Sequence, residues 1–265
     1  MFSVNYRRIL KFLISSAASL IAASLLLFQG TAAQAEPLTV AVAANVKFAF
    51  ADLQQAFTRE SGIEVKSVFG SSGKLTAQIK SGAPFDVFLS ADMKYPDTLY
   101  REGLAVTAPK VYANGVLVLW TRNPLDLGKG IRVLTDPAVQ KIAVANPKLA
   151  PYGREAINAL EHFKLRDAVE SKLIYGESIS QVTQYIDSKS ADIGFTAKSV
   201  VLAPQLAGRG KWIELPRDSY QPIAQGVVIL RHGAETNSET AHRFLDFLAS
   251  PAARSIFEKY GYLLP

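Results

Sequence analysis

Short apolar runs alternate with helix-spaced stripes along this chain, and that alternation narrows the folds open to it more than any other feature. Leu38-Thr39-Val40-Ala41-Val42 reads as a buried strand. Apolar residues then recur at Val46, Phe50, Leu53 and Phe57, one face of a helix that Gly62 would end. Residues 63–69 form a second expected strand and 85–89 a third, with a short helix from Lys74 to Lys80 between them and Asp92 placed to cap the next helix. The pattern resumes with strands at 116–120, 141–145, 172–175, 191–195 and 227–230, a helix over 152–163, and a helical face of Ile179, Val182 and Ile186. Two helical stretches, 239–248 and 251–260, close the chain. Strands alternating with helices predict an α/β fold of βαβ units with mainly parallel sheets, whose ligands sit outside the carboxyl ends of the strands. No Gly/Ser-rich linker divides the chain, so two domains would have to be joined by ordered crossings.

The amino terminus reads as an address. Arg7, Arg8 and Lys11 precede an apolar run from Phe12 to Phe28, and Ala33-Gln34-Ala35 offers the small residues of a signal-peptidase site. Export with cleavage before Glu36 is expected over a retained anchor, because four serines dilute a run that barely reaches spanning length. The periplasm is the expected destination. Loss of residues 1–35 lowers the net charge from +6 to +3, leaving 26 basic and 23 acidic residues. No Lys/Arg block is interleaved with aromatics, so nucleic acid is not an expected partner. The chain has no cysteine, which excludes disulfides, thiolate metal sites, a cysteine nucleophile and a lipid-modified cysteine. The 230 residues after position 35 suffice for one large domain or two smaller ones.

Four strand ends lead into small or polar turns that open a helix: Ala43-Ala44-Asn45, Gly70-Ser71-Ser72-Gly73, Ala150-Pro151-Tyr152-Gly153 and Gly176-Glu177-Ser178-Ile179. The start of a helix presents unpaired N–H groups and about half a positive charge, and small residues let an anion reach them. Several such starts converging on one point would hold an anion with no Lys or Arg beside it. Singly, each turn has a plainer explanation: Asn45 and Ser72 suit ordinary capping, the Ile179 side chain suits the core, and Tyr152 suits an amphipathic surface. Other chemistries fit poorly. Gly73-Lys74 lacks the upstream glycine and following Ser/Thr of a phosphate loop, with Val68 and Leu75 at those places. Gly70-Ser71-Ser72-Gly73 is not a nucleophile elbow. His162, His232 and His242 stand apart without metal-site spacing and are expected to be solvated or capping. A hydrolase using Ser72 would need a histidine base that no strand end offers. Asp86 and Asp92 flank one strand and turn, with capping the expected role of Asp92.

Val40-Ala41-Val42-Ala43-Ala44-Asn45, the segment from Gly70-Ser71-Ser72-Gly73-Lys74 to Ile79, and Gly82-Ala83-Pro84-Phe85-Asp86-Val87-Phe88-Leu89-Ser90-Ala91-Asp92 resemble the periplasmic molybdate-binding proteins of ABC transporters. Ala145-Asn146-Pro147-Lys148-Leu149-Ala150-Pro151-Tyr152-Gly153 and the closing Tyr260-Gly261-Tyr262-Leu263-Leu264-Pro265 match as well, so the resemblance covers nearly the whole chain after residue 35. It implies the type II periplasmic binding protein fold: two α/β domains, residues 36–115 plus 222–265 and residues 116–221, with a ligand cleft between them. It implies capture of molybdate, and of tungstate with it, through contacts at Asn45, Ser72, Tyr152 and Ile179, with Ala44 and Ser71 as additional candidates. Asn45 and Ser72 would donate from side chain and backbone, Tyr152 and Ile179 from backbone N–H groups. Molybdenum would enter only as the bound oxyanion, without direct protein–metal ligands. No cofactor and no enzymatic activity are implied, the partner is an ABC transporter permease in the inner membrane, and a monomer is expected. Two positions depart from the commonest family pattern. Asn45 stands where many members have Ser or Thr, and Ala197 where many have a ligand-binding Tyr, while Tyr152 replaces a small residue. The phenol is expected to have moved across the cleft from position 197 to 152, and a branch of the family shares these features. The alternative is a site for another oxyanion, such as sulfate.

Overall fold

The computed structural model describes residues 37–265; the expected export signal and its cleavage point lie outside the described residues. β1 (Leu38–Ala43) passes through a 3₁₀ turn (Ala44–Val46) into α1 (Lys47–Ser61). β2 (Val65–Gly70), α2 (Ser72–Lys80), β3 (Val87–Leu89), α3 (Lys94–Arg101) and β4 (Lys110–Gly115) come next. A single residue, Val116, separates β4 from β5 (Leu117–Thr121). Beyond it lie β6 (Ile142–Ala145), α4 (Pro151–His162), the single turn α5 (Arg166–Val169), β7 (Leu173–Gly176) and α6 (Ile179–Asp187). β8 (Ile193–Ala197), the single turn α7 (Lys198–Val201), β9 (Lys211–Glu214) and β10 (Ile223–Ile229) complete the strands. α8 (Arg231–Thr236), α9 (Ser238–Leu248) and α10 (Pro251–Lys259) end the chain. Among the described residues no helix is long and apolar enough to cross a membrane.

The strands form two five-stranded sheets, ordered β2-β1-β3-β10-β4 and β7-β6-β8-β5-β9. The chain passes from the first to the second at Val116 and returns between β9 and β10. The sheets are mixed rather than mainly parallel. β1 pairs in parallel with β2 and β3, and β6 with β7 and β8. β10 is antiparallel to β3 and β4, and β5 is antiparallel to β8 and β9. The crossings explain this: β5 and β10 enter their sheets from the boundary and run away from it, whereas the strands that open the site run toward it. Each site turn therefore leaves the carboxyl end of a strand, where ligands of such sheets bind.

Local chemistry accounts for the elements. β1 and β6 are the second strands of their sheets, and their runs, apolar but for Thr39 in β1, are almost wholly buried. α1 turns Phe50, Leu53 and Phe57 inward, and Phe57 meets Phe244 of α9 edge-on, with ring centroids 5.1 Å apart. Gly62 ends α1 at φ 73° with its N–H on the Thr58 carbonyl, 2.8 Å, a left-handed conformation that glycine adopts without strain. Ser71 caps α2, its Oγ accepting the Lys74 N–H, and Pro151 opens α4 where a missing N–H costs nothing.

Two edge strands, β4 and β9, go beyond the sequence expectations, and β10 begins at Ile223 rather than Val227. His232 is not merely solvated or capping. Its Nδ1 lies 2.9 Å from Asp86 Oδ1, and that buried carboxylate also accepts the Thr39 N–H (2.7 Å) and Asn237 Nδ2 (3.3 Å), fastening the segment from α8 to α9 beneath β1 and β3.

Candidate functional site

The four turns meet. Ala44, Asn45, Ser71 and Ser72 from the first-sheet half and Tyr152 and Ile179 from the second line one cavity, together with Gly70, Ala91 and Pro151. None of the lining residues carries a formal charge. The cavity is small, with about 10 Å³ open to the centre of a water-sized sphere, the scale of a single small ion.

The donors are backbone groups at helix starts. Among the described residues, the N–H groups of Asn45, Ser72, Tyr152 and Ile179 have no protein acceptor. They stand where the 3₁₀ turn before α1, α2, α4 and α6 begin, and the first turn of a helix has no internal acceptor to offer. α4 and α6 have no side-chain cap that could take these protons instead. Ser72 adds a hydroxyl. Its Oγ accepts the Ala91 N–H at 2.9 Å, which turns the hydroxyl proton away from Ala91.

The Asn45 side chain has protein partners behind the cavity: its Nδ2 donates to Gln225 Oε1 (2.9 Å) and to the Tyr262 hydroxyl (3.2 Å). The Asn45 carbonyl is held in turn by Ser199 Oγ (2.8 Å) and the Tyr262 hydroxyl (3.0 Å). Ala197 is buried at the end of β8 and does not line the cavity. The Tyr152 hydroxyl reaches the other half of the molecule, accepting from Gln225 Nε2 at 3.3 Å. Burial, and then the nearby Tyr262 and Tyr220, push its acidity well above the ordinary phenol value, so it stays protonated and able to donate. Sequence reasoning misses Gln225, Tyr112, Ser199 and Tyr262. The one readable trace is Gln225 itself, a polar residue inside an apolar strand run.

Contacts between the halves surround the cavity. The Gly73 N–H donates to the Leu149 carbonyl at 2.8 Å. Lys74 pairs with Glu177 at 2.9 Å, which takes the one carboxylate of the four turns out of play. Arg154 pairs with Asp92 at 2.9 Å, so Asp92 does more than cap: it accepts the Tyr95 N–H (3.3 Å) and binds across the boundary. No histidine contacts Ser72, and among the described residues no group of three His, Cys, Asp or Glu could hold a metal ion.

Two α/β halves closed over an uncharged cavity of helix starts are the build of a two-lobed solute-binding protein. The family model described as bacterial extracellular solute-binding protein matches residues 38–263. The molybdate-binding protein ModA of Rhodobacter capsulatus is 40% identical over 246 residues, 91% of this chain and 95% of its own. That of Azotobacter vinelandii is 39% identical over 233 residues, 87% of this chain and 91% of its own. The solved structure of the Azotobacter vinelandii periplasmic molybdate-binding protein superposes with a TM-score of 0.81 at 33% identity, covering 86% of this chain and 99% of that one. The chain belongs to the ModA family of molybdate-binding proteins, solute-binding components of ABC transport and not enzymes.

Proposed function

We propose that this protein captures molybdate, and tungstate with it, in the cavity between Asn45, Ser72, Tyr152 and Ile179, and delivers it to an ABC permease in the inner membrane for import. The observation that carries the reading is the set of four backbone N–H groups without protein acceptors, drawn from both halves of the molecule, around a cavity whose lining has no formal charge and no carboxylate. Molybdate and tungstate are fully ionised dianions near neutral pH and accept hydrogen bonds only. Phosphate keeps a proton there and calls for a carboxylate, which this cavity lacks. Sulfate matches in charge and differs in size, and membership of the molybdate-binding family favours the larger ion. Residues 36–115 with 222–265 form one domain and residues 116–221 the other, a division supported by the sheet membership of the strands. The contacts across the boundary belong to a closed state, which a hinge at the two crossings would open. Work in the periplasm, after removal of residues 1–35, and as a monomer, completes the reading.

The test is a set of separate titrations with molybdate, tungstate, sulfate and phosphate, followed by intrinsic fluorescence and calorimetry. Saturable binding of molybdate and tungstate, with phosphate silent and sulfate weak, is expected. Tighter binding of phosphate or sulfate would overturn the assignment. Tyr152→Phe tests whether the hydroxyl is a ligand: unchanged affinity would restrict Tyr152 to its backbone N–H.

A further inference from the structure

Behind the cavity, Gln225 is fully buried on β10, inside a strand whose other buried residues are apolar or glycine. A buried side-chain amide is costly unless both ends are paired, and here both are. Oε1 accepts from Asn45 Nδ2 (2.9 Å) and lies 2.8 Å from the Tyr112 hydroxyl, whose one proton is shared between it and the Ser90 carbonyl (3.1 Å). Nε2 donates to the Tyr152 hydroxyl (3.3 Å). With the Asn45 amide donating to its oxygen, the Gln225 amide turns its Nε2 to the Tyr152 hydroxyl. The backbone is shaped for this contact. The β10–β4 register shifts at Gln225/Gly226: Gln225 faces Ala113 and Gly226 faces Val111, leaving Tyr112 as the extra residue of a bulge. Bulges re-aim side chains beside functional sites, and this one brings the Tyr112 hydroxyl onto Gln225.

The consequence falls on the Tyr152 hydroxyl. A phenol has one proton to give, and a donor already occupies its oxygen. Among the described residues no group accepts that proton. Building on the molybdate reading, we infer that Gln225 is a positioning residue: it fixes the Tyr152 hydroxyl, which comes from the opposite side of the cleft, as an acceptor toward the protein and so leaves its proton for the bound oxyanion, while holding Asn45 in register on its own side. Gln225 touches no ligand itself. It sets the polarity of the donors that do, and discriminates against anions that bring a proton of their own.

Gln225→Glu reverses that polarity. The carboxylate accepts from Tyr152, the cavity loses a donor, and an acceptor appears behind it. Molybdate affinity falls about 10- to 150-fold, the loss of one hydrogen bond to a charged group. The ratio of molybdate to hydrogen phosphate affinity falls with it, which a general loss of stability would not produce. A double-mutant cycle with Tyr152→Phe separates this from simple charge repulsion. If Gln225 acts through the phenol, Gln225→Glu costs clearly less in the Tyr152→Phe protein than in the parent. Equal losses in both backgrounds would overturn the inference. Gln225→Met, uncharged and similar in shape, covers the case in which the Glu variant does not fold. It is expected to bind molybdate several-fold more weakly, and parental affinity would overturn the inference too. A parent protein that binds a different tetrahedral dianion would refute the molybdate reading alone, and the same cycle would then be scored with that anion.

Discussion

Gly115 ends β4 beneath the cavity, and Gly115→Ala should hinder closure while displacing the Gln225 amide in its own half. A Cβ built there would lie 2.0 Å from the Tyr152 hydroxyl oxygen, 2.9 Å from Cζ and 2.7 Å from Gln225 Nε2. An ordinary carbon–oxygen contact is about 3.3 Å, so the end of the ring would have to retreat by about 1.3 Å. Both are rigidly held, Tyr152 by the first turn of α4 and Gln225 by its strand. The retreat breaks the Gln225–Tyr152 hydrogen bond and pushes the α4 start away from the first sheet. Overpacking of this size costs about 1–3 kcal/mol, which at about 1.4 kcal/mol per tenfold weakens binding about 5- to 150-fold. Gly115 has no positive φ, so alanine does not strain the strand itself, and with the halves apart the added methyl meets no ring from the other side. The assay is calorimetric titration with molybdate beside thermal melts with and without it. The ligand-free melting temperature should fall only modestly, since the methyl also displaces the Gln225 amide, and the rise on adding ligand should shrink, because ligand stabilisation follows affinity. Full affinity in the variant would show that Tyr152 need not approach β4 for the ligand to bind. A large drop in ligand-free stability would assign the glycine to folding instead.

Two further expectations concern the contacts around the cavity. Arg154→Ala strands the largely buried Asp92 carboxylate in the closed state, and molybdate release should quicken about three- to tenfold in stopped-flow chase experiments, since losing one partner of a partly buried pair is costly. Lys74→Ala breaks a pair whose members are about half exposed, so the change should stay below about threefold and vanish at high salt. A third expectation is a pH limit. The Tyr112, Tyr152 and Tyr262 phenols are all pushed above their ordinary value of 10.0, chiefly by burial. Unfolding frees them to ionise, so above pH 10 the unfolded chain sheds protons that the folded chain keeps. Their contribution to stability is complete below that point and declines above it, by up to about 4 kcal/mol per pH unit for three groups. Chemical denaturation across this range should show the decline, and Tyr112→Phe should lessen its slope.

The inner strands and the helix starts are legible in the sequence, because each signal there is local. β1 is apolar but for Thr39 and β6 throughout, Gly62 stops α1 as a left-handed glycine does, and Pro151 marks the start of α4. The edges are harder. β4 reads Lys-Val-Tyr-Ala-Asn-Gly and β9 reads Lys-Trp-Ile-Glu, and edge strands keep polar residues because one side lacks a neighbour. Gln225 and Gly226 interrupt the apolar run of β10, which hides its first half. The candidate site divides along the same line. Four turns can be suspected singly, but their convergence depends on sheet order. The pairings behind them, Asn45 with Gln225 and Tyr152 with Gln225, join residues 180 and 73 positions apart with no local trace. Asn45 is a case in point: nothing near it in the chain shows that its amide pairs with Gln225 and Tyr262.

β10 is the last strand to be made, yet it is wedged between β3 and β4 in the interior of its sheet. Until it arrives, β3 has a bare flank and β4 has no neighbour at all. A polypeptide that emerges amino-terminus first therefore cannot finish this layer while its tail is still being synthesised or threaded, although the insert carrying β5 to β9 can mature beforehand. Assembly by so late and remote a pairing is slow and keeps the chain pliable for long. The pocket depends on that late step, because the strand that completes the layer also carries Gln225, the partner of Asn45 and Tyr152.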